Sequence, residues 1–420
     1  MSSELSMADL DLSTIKTIDD LDVEGKRVLV RADLNVPIEN GEVADDTRIK
    51  RVLPTISKLK QGGAKVILMS HLGRPKGERS PETSLRPVAA RVEALLNGGP
   101  VRFFDDCVGP EVENGLKALG NGDVAVLENL RYHKGETAND IGFAKQLAAL
   151  GDIYVDDAFS SAHRAHASVE AIAHLMPAYA GKLMMAEINA LTKALADPKR
   201  PVMAIVGGAK VSTKIDVLKN LATCMDVLVV GGGMANTLLN AQGVNVGNSL
   251  YEPDFVDTVK EVLASAERAG CEIFLPVDEV VAKELAPGTE WDVCDVNAIP
   301  SDMMVLDQGP KSIERLKARL GEMSTLLWNG PLGAFEVAPF GKGTLALAEE
   351  AGHLSQEGKL ISIAGGGDTV RALNMVGATP SFTYVSTAGG AFLEWLAGRQ
   401  LPAVVALSTS QIEPAQTAVA

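Results

Sequence analysis

Short runs of aliphatic and β-branched residues alternate along the chain with longer stretches of helical periodicity. Most of the runs are nearly continuous in apolar residues, which is typical of parallel strands that are covered on both faces of their sheet. Two successive sets of such runs predict an α/β fold with two doubly wound domains. In the first half the predicted strands are residues 27–30, 65–69, 101–104, 124–127 and 153–155. In the second half they are residues 202–206, 227–230, 272–274, 303–306, 325–328, 360–363 and 382–385.

The segment 182–195 combines strong helix formers with a helical apolar period, and it is followed by Asp197 and Pro198, where a helix should stop. We expect this helix to join the two domains. The predicted organisation is therefore two Rossmann-like parallel-sheet domains, residues 1–181 and 199–402, with an interdomain hinge helix at 182–198. A final segment, 403–420, ends in a polar tail that we expect to be partly disordered.

The composition narrows the class of function. The chain has 420 residues, 46% of them hydrophobic, so two packed cores fit its length. Its formal net charge of −15 argues against a nucleic-acid-binding protein, which would normally be basic. Residues 1–11 lack an apolar signal-like stretch, and the longest uncharged stretch, 227–251, holds too many glycines and amides for a membrane helix. Four cysteines without a C-x-x-C pair indicate reduced thiols, neither disulfides nor a zinc site, and favour a cytoplasmic location.

Polar and basic side chains follow the predicted strands of the first half. Because the carboxyl ends of parallel strands form the ligand crevice of an open sheet, these residues should meet at one edge. A single arginine would more often belong to a surface ion pair, but four near successive strand ends predict a site for phosphate and carboxylate groups. His71, His163 and His166 lack further ligands at metal-binding spacing, so we expect no metal ion among them. The candidate residues are Asp33, Asn35, Arg48, His71, Arg74, Arg131 and Arg164.

Glycine-rich turns follow three predicted strands of the second half, at residues 207–208, 231–233 and 365–367. Lys210 and Lys214 are four residues apart near the expected start of a helix, so we expect them to share one face of it, where charge and helix dipole together favour phosphate. Asp368 is placed as a Mg²⁺ ligand beside the last turn. Neither G-x-x-x-x-G-K-[ST] nor a complete G-x-G-x-x-G is present, so the glycine turns alone do not identify the nucleotide site.

The chain closely resembles the phosphoglycerate kinase family from Val28 to about Leu407, because eight of its segments match that family in the same order. The matching segments are residues 31–37, 71–75, 127–131, 162–166, 207–211, 328–331, 365–369 and 386–392.

The resemblance implies reversible phosphoryl transfer between 1,3-bisphosphoglycerate and ADP, giving 3-phosphoglycerate and ATP with Mg²⁺. It implies that Arg48, Lys210 and Lys214 are catalytic, with Arg48 and Lys210 facing the transferred group, and that the domains close about the hinge. For the acid in the first domain it implies contacts with Asp33, Leu34, Asn35, Arg48, His71, Leu72, Gly73, Arg74, Arg131 and Arg164. For the nucleotide in the second domain it implies contacts with Gly208, Lys214, Gly232, Asn329, Pro331, Glu336, Gly366, Gly367, Asp368 and Thr369, with Asp368 holding the metal. It also implies that 403–420 returns to the first domain.

Three positions depart from the family pattern: Ala388 and Ser160 stand where glycine is frequent, and Val305 stands at an adenine-side glycine. Two other readings remain open from sequence alone. One is a catalytically silent binding protein on the same fold, and the other is a dehydrogenase suggested by the βα pattern. We expect small-molecule partners only, no nucleic acid or membrane, and a monomer.

Overall fold

The computed structural model describes residues 10–19, 21–96, 98–410 and 412. These residues form two compact units. The first unit contains the described residues up to Ile188 together with those from Arg399 onward, and the second contains Asn189–Gly398.

The first unit is built on a six-stranded parallel sheet with the order β5-β6-β4-β1-β7-β8. The predicted strands of this half are all present, and the structure adds β8 and a short β2–β3 hairpin. The strands are β1 (Arg27–Ala32), β2 (Ile38–Glu39), β3 (Glu42–Val43), β4 (Lys65–Met69), β5 (Val101–Phe104), β6 (Val124–Leu127), β7 (Ile153–Asp157) and β8 (Ala178–Ala180). The helices are α1 (Thr47–Gln61), α2 (Arg86–Leu96), α3 (Pro110–Lys117), α4 (Lys134–Thr137) and α5 (Ile141–Ala148).

Helix α1 shows how the pattern of apolar residues places a helix on this sheet. Ile49, Val52, Ile56 and Leu59 are spaced three or four residues apart, and all are buried. They join one apolar cluster with buried residues of β1, β4, β6 and β7. This packing holds the amino end of α1, and with it Arg48, on the first unit.

The second unit contains a second six-stranded parallel sheet, with the order β11-β10-β9-β15-β16-β17. Counted within this sheet the order is 3-2-1-4-5-6, and it reverses between β9 and β15, where doubly wound sheets bind ligands. Its strands are β9 (Val202–Gly207), β10 (Val227–Gly231), β11 (Glu272–Phe274), β15 (Thr325–Asn329), β16 (Ile361–Gly365) and β17 (Tyr384–Ser386). The helices of this unit are α7 (Ile215–Cys224), α8 (Gly233–Ala241), α9 (Val256–Ala269), α10 (Pro310–Leu320), α11 (Lys342–Gln356), α12 (Gly367–Met375) and α13 (Gly389–Leu396), preceded by α6 (Lys182–Leu195), which enters it from the first unit.

A three-stranded antiparallel sheet also lies in this unit, with the order β13-β12-β14. Its strands are β12 (Asp278–Ala282), β13 (Trp291–Asp295) and β14 (Met304–Gln308). The expectation that residues 303–306 belong to a parallel sheet is therefore wrong. Val305 packs with one apolar cluster and Leu306 with another, so both faces of β14 are covered and the run reads as continuous.

The last helix, α14 (Pro402–Thr409), belongs to the first unit. Ala403 donates its backbone N–H to Ala162 O at 3.1 Å, and Thr14 Oγ1 donates to Ser408 O at 2.9 Å. The tail expected to be disordered lies mostly outside the described residues. Within the described part of the chain, no helix is long and apolar enough to span a membrane.

Candidate active site

Arg48 and Asp33 form the best-defined contact at the carboxyl edge of the first sheet. Asp33 follows β1 directly and is only 4% exposed. Arg48, in the first turn of α1, donates from Nη1 to Asp33 Oδ2 at 2.9 Å and to Asn35 O at 3.1 Å. Ser160, where family members often have glycine, donates its hydroxyl to Asp33 Oδ2 at 2.6 Å. Asp33 thus orients Arg48 and partly balances its charge.

The loop after β4 is tied to its neighbours through backbone groups. Asn35 Oδ1 accepts from Gly73 N at 2.9 Å, and Arg131 donates from Nη1 to Gly73 O at 2.7 Å. Gly73 has a φ of 63°, which favours glycine. Leu34 and Leu72 are buried apolar side chains, so only their backbone groups could contact a ligand.

A basic cavity of about 500 Å³ opens beside this loop. Three of the predicted arginines line it. Burial, and then the charges of Arg164 and Arg31, lower the pKa of Arg131 to about 10. Burial also lowers the pKa of Arg164, with Arg74 and Arg31 adding to the effect. A cavity whose described lining residues include several cationic side chains and no acidic one is suited to an acid with several negative charges. The lining residues are Arg74, Lys76, Gly77, Arg131, His133, Lys134, Thr137, Arg164 and His166.

Lys76, Lys134 and His133 were not predicted from sequence. Lys76 follows Pro75 in the same loop as Arg74, and His133 and Lys134 follow Arg131 closely. Their closeness to predicted arginines is the signal that could have found them. Lys134 packs against Gly77, where a Cβ would lie 2.6 Å from Lys134 Cγ.

His71 lies behind this cavity and is 6% exposed. Its pKa is held well below 6.5 by burial first and then by the charges of Arg31, Arg131 and Arg164. His71 is therefore neutral at physiological pH. A neutral imidazole binds an oxyanion by donating a hydrogen bond and adds no charge.

In the second unit, Lys214 lies at the point where the strand order reverses. Its Nζ donates to Gly207 O at 2.8 Å, at the end of β9, and to Asn329 Oδ1 at 2.6 Å, at the end of β15. Burial lowers its pKa to about 8, and the charge of Asp368 opposes this shift. Asn329 donates its own amide to Gly365 O at 2.8 Å, which connects the site to β16.

Lys210 and Lys214 do not share a helix face, so that expectation is wrong. A short 3-10 helix, Val211–Thr213, separates them, and α7 begins only at Ile215. Lys214 is half-buried, whereas Lys210 is exposed. The difference arises because only Lys214 reaches the strand ends, where its Nζ bonds to Gly207 O and Asn329 Oδ1.

The glycine turns bring backbone segments into close contact. A Cβ on Gly207 would lie 1.8 Å from Pro331 O, and Gly232, with a φ of 67°, would place one 2.8 Å from Gly208 O. Gly366 also has a positive φ, 95°, and a Cβ there would meet Asn329 Nδ2 at 2.8 Å. A Cβ on Gly367 would meet nothing within 4 Å. The glycines therefore allow strand ends to meet and leave the start of α12 open.

A cavity of about 350 Å³ adjoins these turns. Five predicted nucleotide contacts line it: Gly208, Gly232, Pro331, Glu336 and Asp368. The other five, Lys214, Asn329, Gly366, Gly367 and Thr369, do not line it. Three of these, Lys214, Asn329 and Thr369, bond to the backbone of the glycine turns. Thr369 is 1% exposed and accepts from Gly330 N at 2.7 Å. The apolar wall was not predicted, apart from Val305, because it comes partly from β14.

Asp368 fits the role of a Mg²⁺ ligand. It is an exposed carboxylate in the first turn of α12 and lines the cavity. Its charge acts on Lys214, which places it near the buried lysine. Mg²⁺ commonly takes one or two carboxylates together with phosphate oxygens, and a single exposed carboxylate beside glycine turns matches that donor set.

Two parallel-sheet units, one with an arginine-lined cavity and the other with a glycine-lined one, define the class of two-domain α/β phosphotransferases. Residues 18–399 match the family model described as phosphoglycerate kinase. A phosphoglycerate kinase of Rhizobium meliloti (strain 1021) is 58% identical over 392 residues, covering 93% of this chain and 98% of the relative. One of Agrobacterium fabrum is 55% identical over 401 residues, covering 95% and 100%. The solved phosphoglycerate kinase of Coxiella burnetii superposes with a TM-score of 0.87 at 42% identity, over 94% of this chain and 99% of that one.

The chain belongs to the phosphoglycerate kinase family. It is an ATP-dependent phosphotransferase, and the glycolytic interconversion of 1,3-bisphosphoglycerate and 3-phosphoglycerate is the general function of that family. The alternatives of a silent binding protein and a dehydrogenase are thereby set aside.

Proposed function

We propose that the first unit binds 3-phosphoglycerate or 1,3-bisphosphoglycerate and that the second unit binds the magnesium complex of ADP or ATP. The contrast between the two cavities carries this proposal. The cavity of the first unit presents three arginines and two lysines, which suits a small acid with phosphate and carboxylate groups. The cavity of the second unit combines an apolar wall with glycine turns, which suits a nucleobase joined to phosphates.

In the direction of ATP use, a carboxylate oxygen of 3-phosphoglycerate forms a bond to the γ-phosphorus while the bond to the β-phosphate oxygen of ADP breaks. No proton has to move, so catalysis rests on position and charge. Arg74, Arg131 and Arg164 hold the acid, and Arg48 and Lys210 face the transferred group. Lys214 and the backbone N–H groups of the glycine turns hold the nucleotide phosphates, and Glu336 binds the ribose.

Asp368 would hold Mg²⁺ beside these phosphates. When bound, the ion neutralises phosphate charge and orients the terminal phosphoryl group. Asn329 holds the turn that precedes Asp368 through its bond to Gly365 O, and Thr369 holds the turn at Gly330 by accepting from Gly330 N. We further propose that the enzyme is a cytoplasmic monomer and that the hinge helix allows the domains to close over both substrates. Small-angle scattering with both ligands, each ligand alone and neither would test the closure.

Calorimetry with two matched pairs of variants tests the assignment of ligands to units. Arg74→Met should weaken binding of 3-phosphoglycerate about tenfold or more and leave ADP binding unchanged. Arg102→Met, at an exposed arginine on β5, is its control. Asp368→Asn should weaken binding of ADP in the presence of Mg²⁺ and leave 3-phosphoglycerate binding unchanged. Asp257→Asn is its control, because Asp257 is also an exposed acid in the first turn of a helix.

A loss of both ligands in either test variant would contradict the assignment. So would equal effects of a test variant and its control. A coupled assay in the direction of ATP use, with and without Mg²⁺, then relates each binding change to turnover.

A further inference from the structure

Arg31 is a charged side chain that is wholly buried beneath the acid site. It lies on β1, two residues before Asp33, and is 0% exposed. Burying a guanidinium is unfavourable unless its donors are satisfied and its charge is balanced. The structure satisfies it with three partners: Ser168 Oγ at 2.9 Å, Ala32 O at 2.7 Å and His71 Nδ1 at 2.9 Å.

The charge of Arg31 is balanced through Ser168. Ser168 Oγ accepts from Arg31 Nε and donates to Glu136 Oε1 at 2.7 Å, while Ser168 N donates to Glu136 Oε2 at 3.0 Å. Glu136 is itself 0% exposed. Asp156, also fully buried, is a second acid that the charge of Arg31 reaches. The guanidinium is therefore fixed between an acidic side and His71.

The contact with His71 determines which ring nitrogen carries the proton. A guanidinium can only donate hydrogen bonds, so Nδ1 of His71 must be the acceptor. The proton of the neutral ring is then on Nε2, and within the described part of the chain no protein group bonds to Nε2. A ring held in this tautomer has one free donor, available to an oxyanion.

We propose that Arg31 is a positioning residue: it holds His71 as the neutral Nε2–H tautomer, ready to donate one hydrogen bond to an oxygen of the acid substrate. This inference rests on the proposed binding of the acid in the first unit. Arg31 itself contacts no substrate and acts only through His71. The groups that face His71 are the charged side chains of Arg31, Arg131 and Arg164 and the titratable ring of His166, and all of them disfavour a second proton on it.

Fixing the tautomer has a consequence for binding of the acid. If the ring could turn or exchange its proton, Nδ1 or Nε2 could present a lone pair to the substrate and repel its oxygen. The Arg31 contact removes that alternative without adding another cation to a site that already contains Arg74, Arg131 and Arg164. Acid binding should therefore show no titration of His71 near pH 6.5, where a free imidazole titrates, because its pKa is held well below that value.

Nitrogen NMR of ¹⁵N-histidine-labelled protein tests the proposal directly. The chain has six histidines, and a His71→Gln variant assigns the His71 signals by their absence. The wild type should show protonated Nε2, unprotonated Nδ1 and no titration near pH 6.5. In Arg31→Met the pKa of His71 should rise towards 6.5, the tautomers should mix, and KM for 3-phosphoglycerate should rise about tenfold with a smaller change in kcat.

Arg27→Met is the matched control, because Arg27 lies on the same strand but pairs with Asp152 at its other end. It should change neither the tautomer nor KM. If Arg31→Met does not fold, Ser168→Ala removes the bond that orients Arg31 and should produce part of the same effect.

A wild-type ring protonated on Nδ1, or one that titrates near pH 6.5, would overturn the proposal. An unchanged tautomer in a folded Arg31→Met would do the same. If His71→Gln leaves KM for the acid unchanged while the tautomer is as expected, the assignment of the acid site fails and the role of Arg31 towards His71 stands.

Discussion

Lys214 offers the sharpest test of the nucleotide site, because its amine is buried and its functional and structural effects can be separated. Its Nζ bonds to Gly207 O and Asn329 Oδ1, and its pKa is lowered from 10.5 to about 8, chiefly by burial. Lys214→Met removes the charge and keeps an unbranched apolar stem. We expect turnover to fall about 10²- to 10³-fold, as it does when one preorganised charge donor is removed from a phosphoryl or oxyanion site.

Stability should respond differently. Between pH 8 and 10.5 the unfolded lysine keeps its proton while the folded one has lost it, so the free energy of unfolding rises with pH over this range. Below pH 8 the folded protein holds a charged lysine at a cost of roughly 3 kcal/mol, by about 1.4 kcal/mol per pH unit. Methionine removes that cost but leaves two acceptors unpaired, at about 1–3 kcal/mol each. Because these effects oppose each other, the net change in the free energy of unfolding at pH 7 should stay below about 3 kcal/mol.

The assay measures kcat, KM for ATP and urea unfolding for Lys214→Met, with Lys219→Met as control. Lys219 is exposed on the same helix, α7. In the wild type kcat/KM for ATP should fall as pH rises through about 8, and this limb should be absent in Lys214→Met. The reasoning is refuted if turnover and KM for ATP are unchanged, or if the loss of activity only follows the loss of folded protein.

Three further outcomes follow from the charges at and beneath the two sites. Sulfate should raise KM for 3-phosphoglycerate more than sodium chloride at the same ionic strength, because Arg74, Arg131 and Arg164 line the cavity; equal inhibition would indicate screening alone. Arg48→Met should lower kcat about 10²-fold and leave the calorimetric affinity for 3-phosphoglycerate nearly unchanged, and a matching loss of affinity would place Arg48 in ground-state binding instead. Asp157 has its pKa raised to about 7 by burial, so the folded protein keeps a proton that the unfolded chain loses above pH 3.8, and stability falls as pH rises from about 4 to 7. Asp157→Asn should flatten this slope by about 1.4 kcal/mol per pH unit, as measured by urea unfolding at pH 5 and pH 7. An unchanged slope would contradict the raised pKa of Asp157.

The parallel sheets could be predicted from sequence because most of their strands are buried on both faces, and the less buried edge strand β5 still keeps three apolar residues out of four. The runs at residues 65–69, 101–104 and 124–127 match β4, β5 and β6 in full. The antiparallel sheet could not be predicted in the same way. β13 is largely exposed and is interrupted by Asp292 and Asp295, so it lacks the apolar run that marked the others. β8 has only three residues, Ala178–Ala180, and none of them is β-branched, so nothing in the sequence marks it as a strand.

Candidate residues that follow a strand closely could be placed at a sheet edge from sequence. Asp33 comes directly after β1 and Asp368 comes three residues after β16, so the ends of these strands position both. The apolar wall of the cavity in the second unit was missed because it depends on tertiary packing of β12 and β14. Glu279 and Gln308 are direct cross-strand partners in that sheet and line the cavity, although they are 29 positions apart in the sequence. No local pattern brings such a pair together.

Under the proposed function, the two sites meet the same demand, binding of phosphate, by different physical means. The first unit collects cations: burial and mutual repulsion lower the pKa of Arg131 to about 10, so the cavity is unfavourably charged until an anion enters. The second unit offers the half-buried Lys214 and the backbone N–H groups of its glycine turns, which carry only partial charges and repel each other little. An anion therefore relieves more electrostatic strain in the first unit than in the second. The stabilisation of the first unit by saturating 3-phosphoglycerate should therefore come largely from charge. Nucleotide binding should depend more on the fit of the glycine turns and the apolar wall.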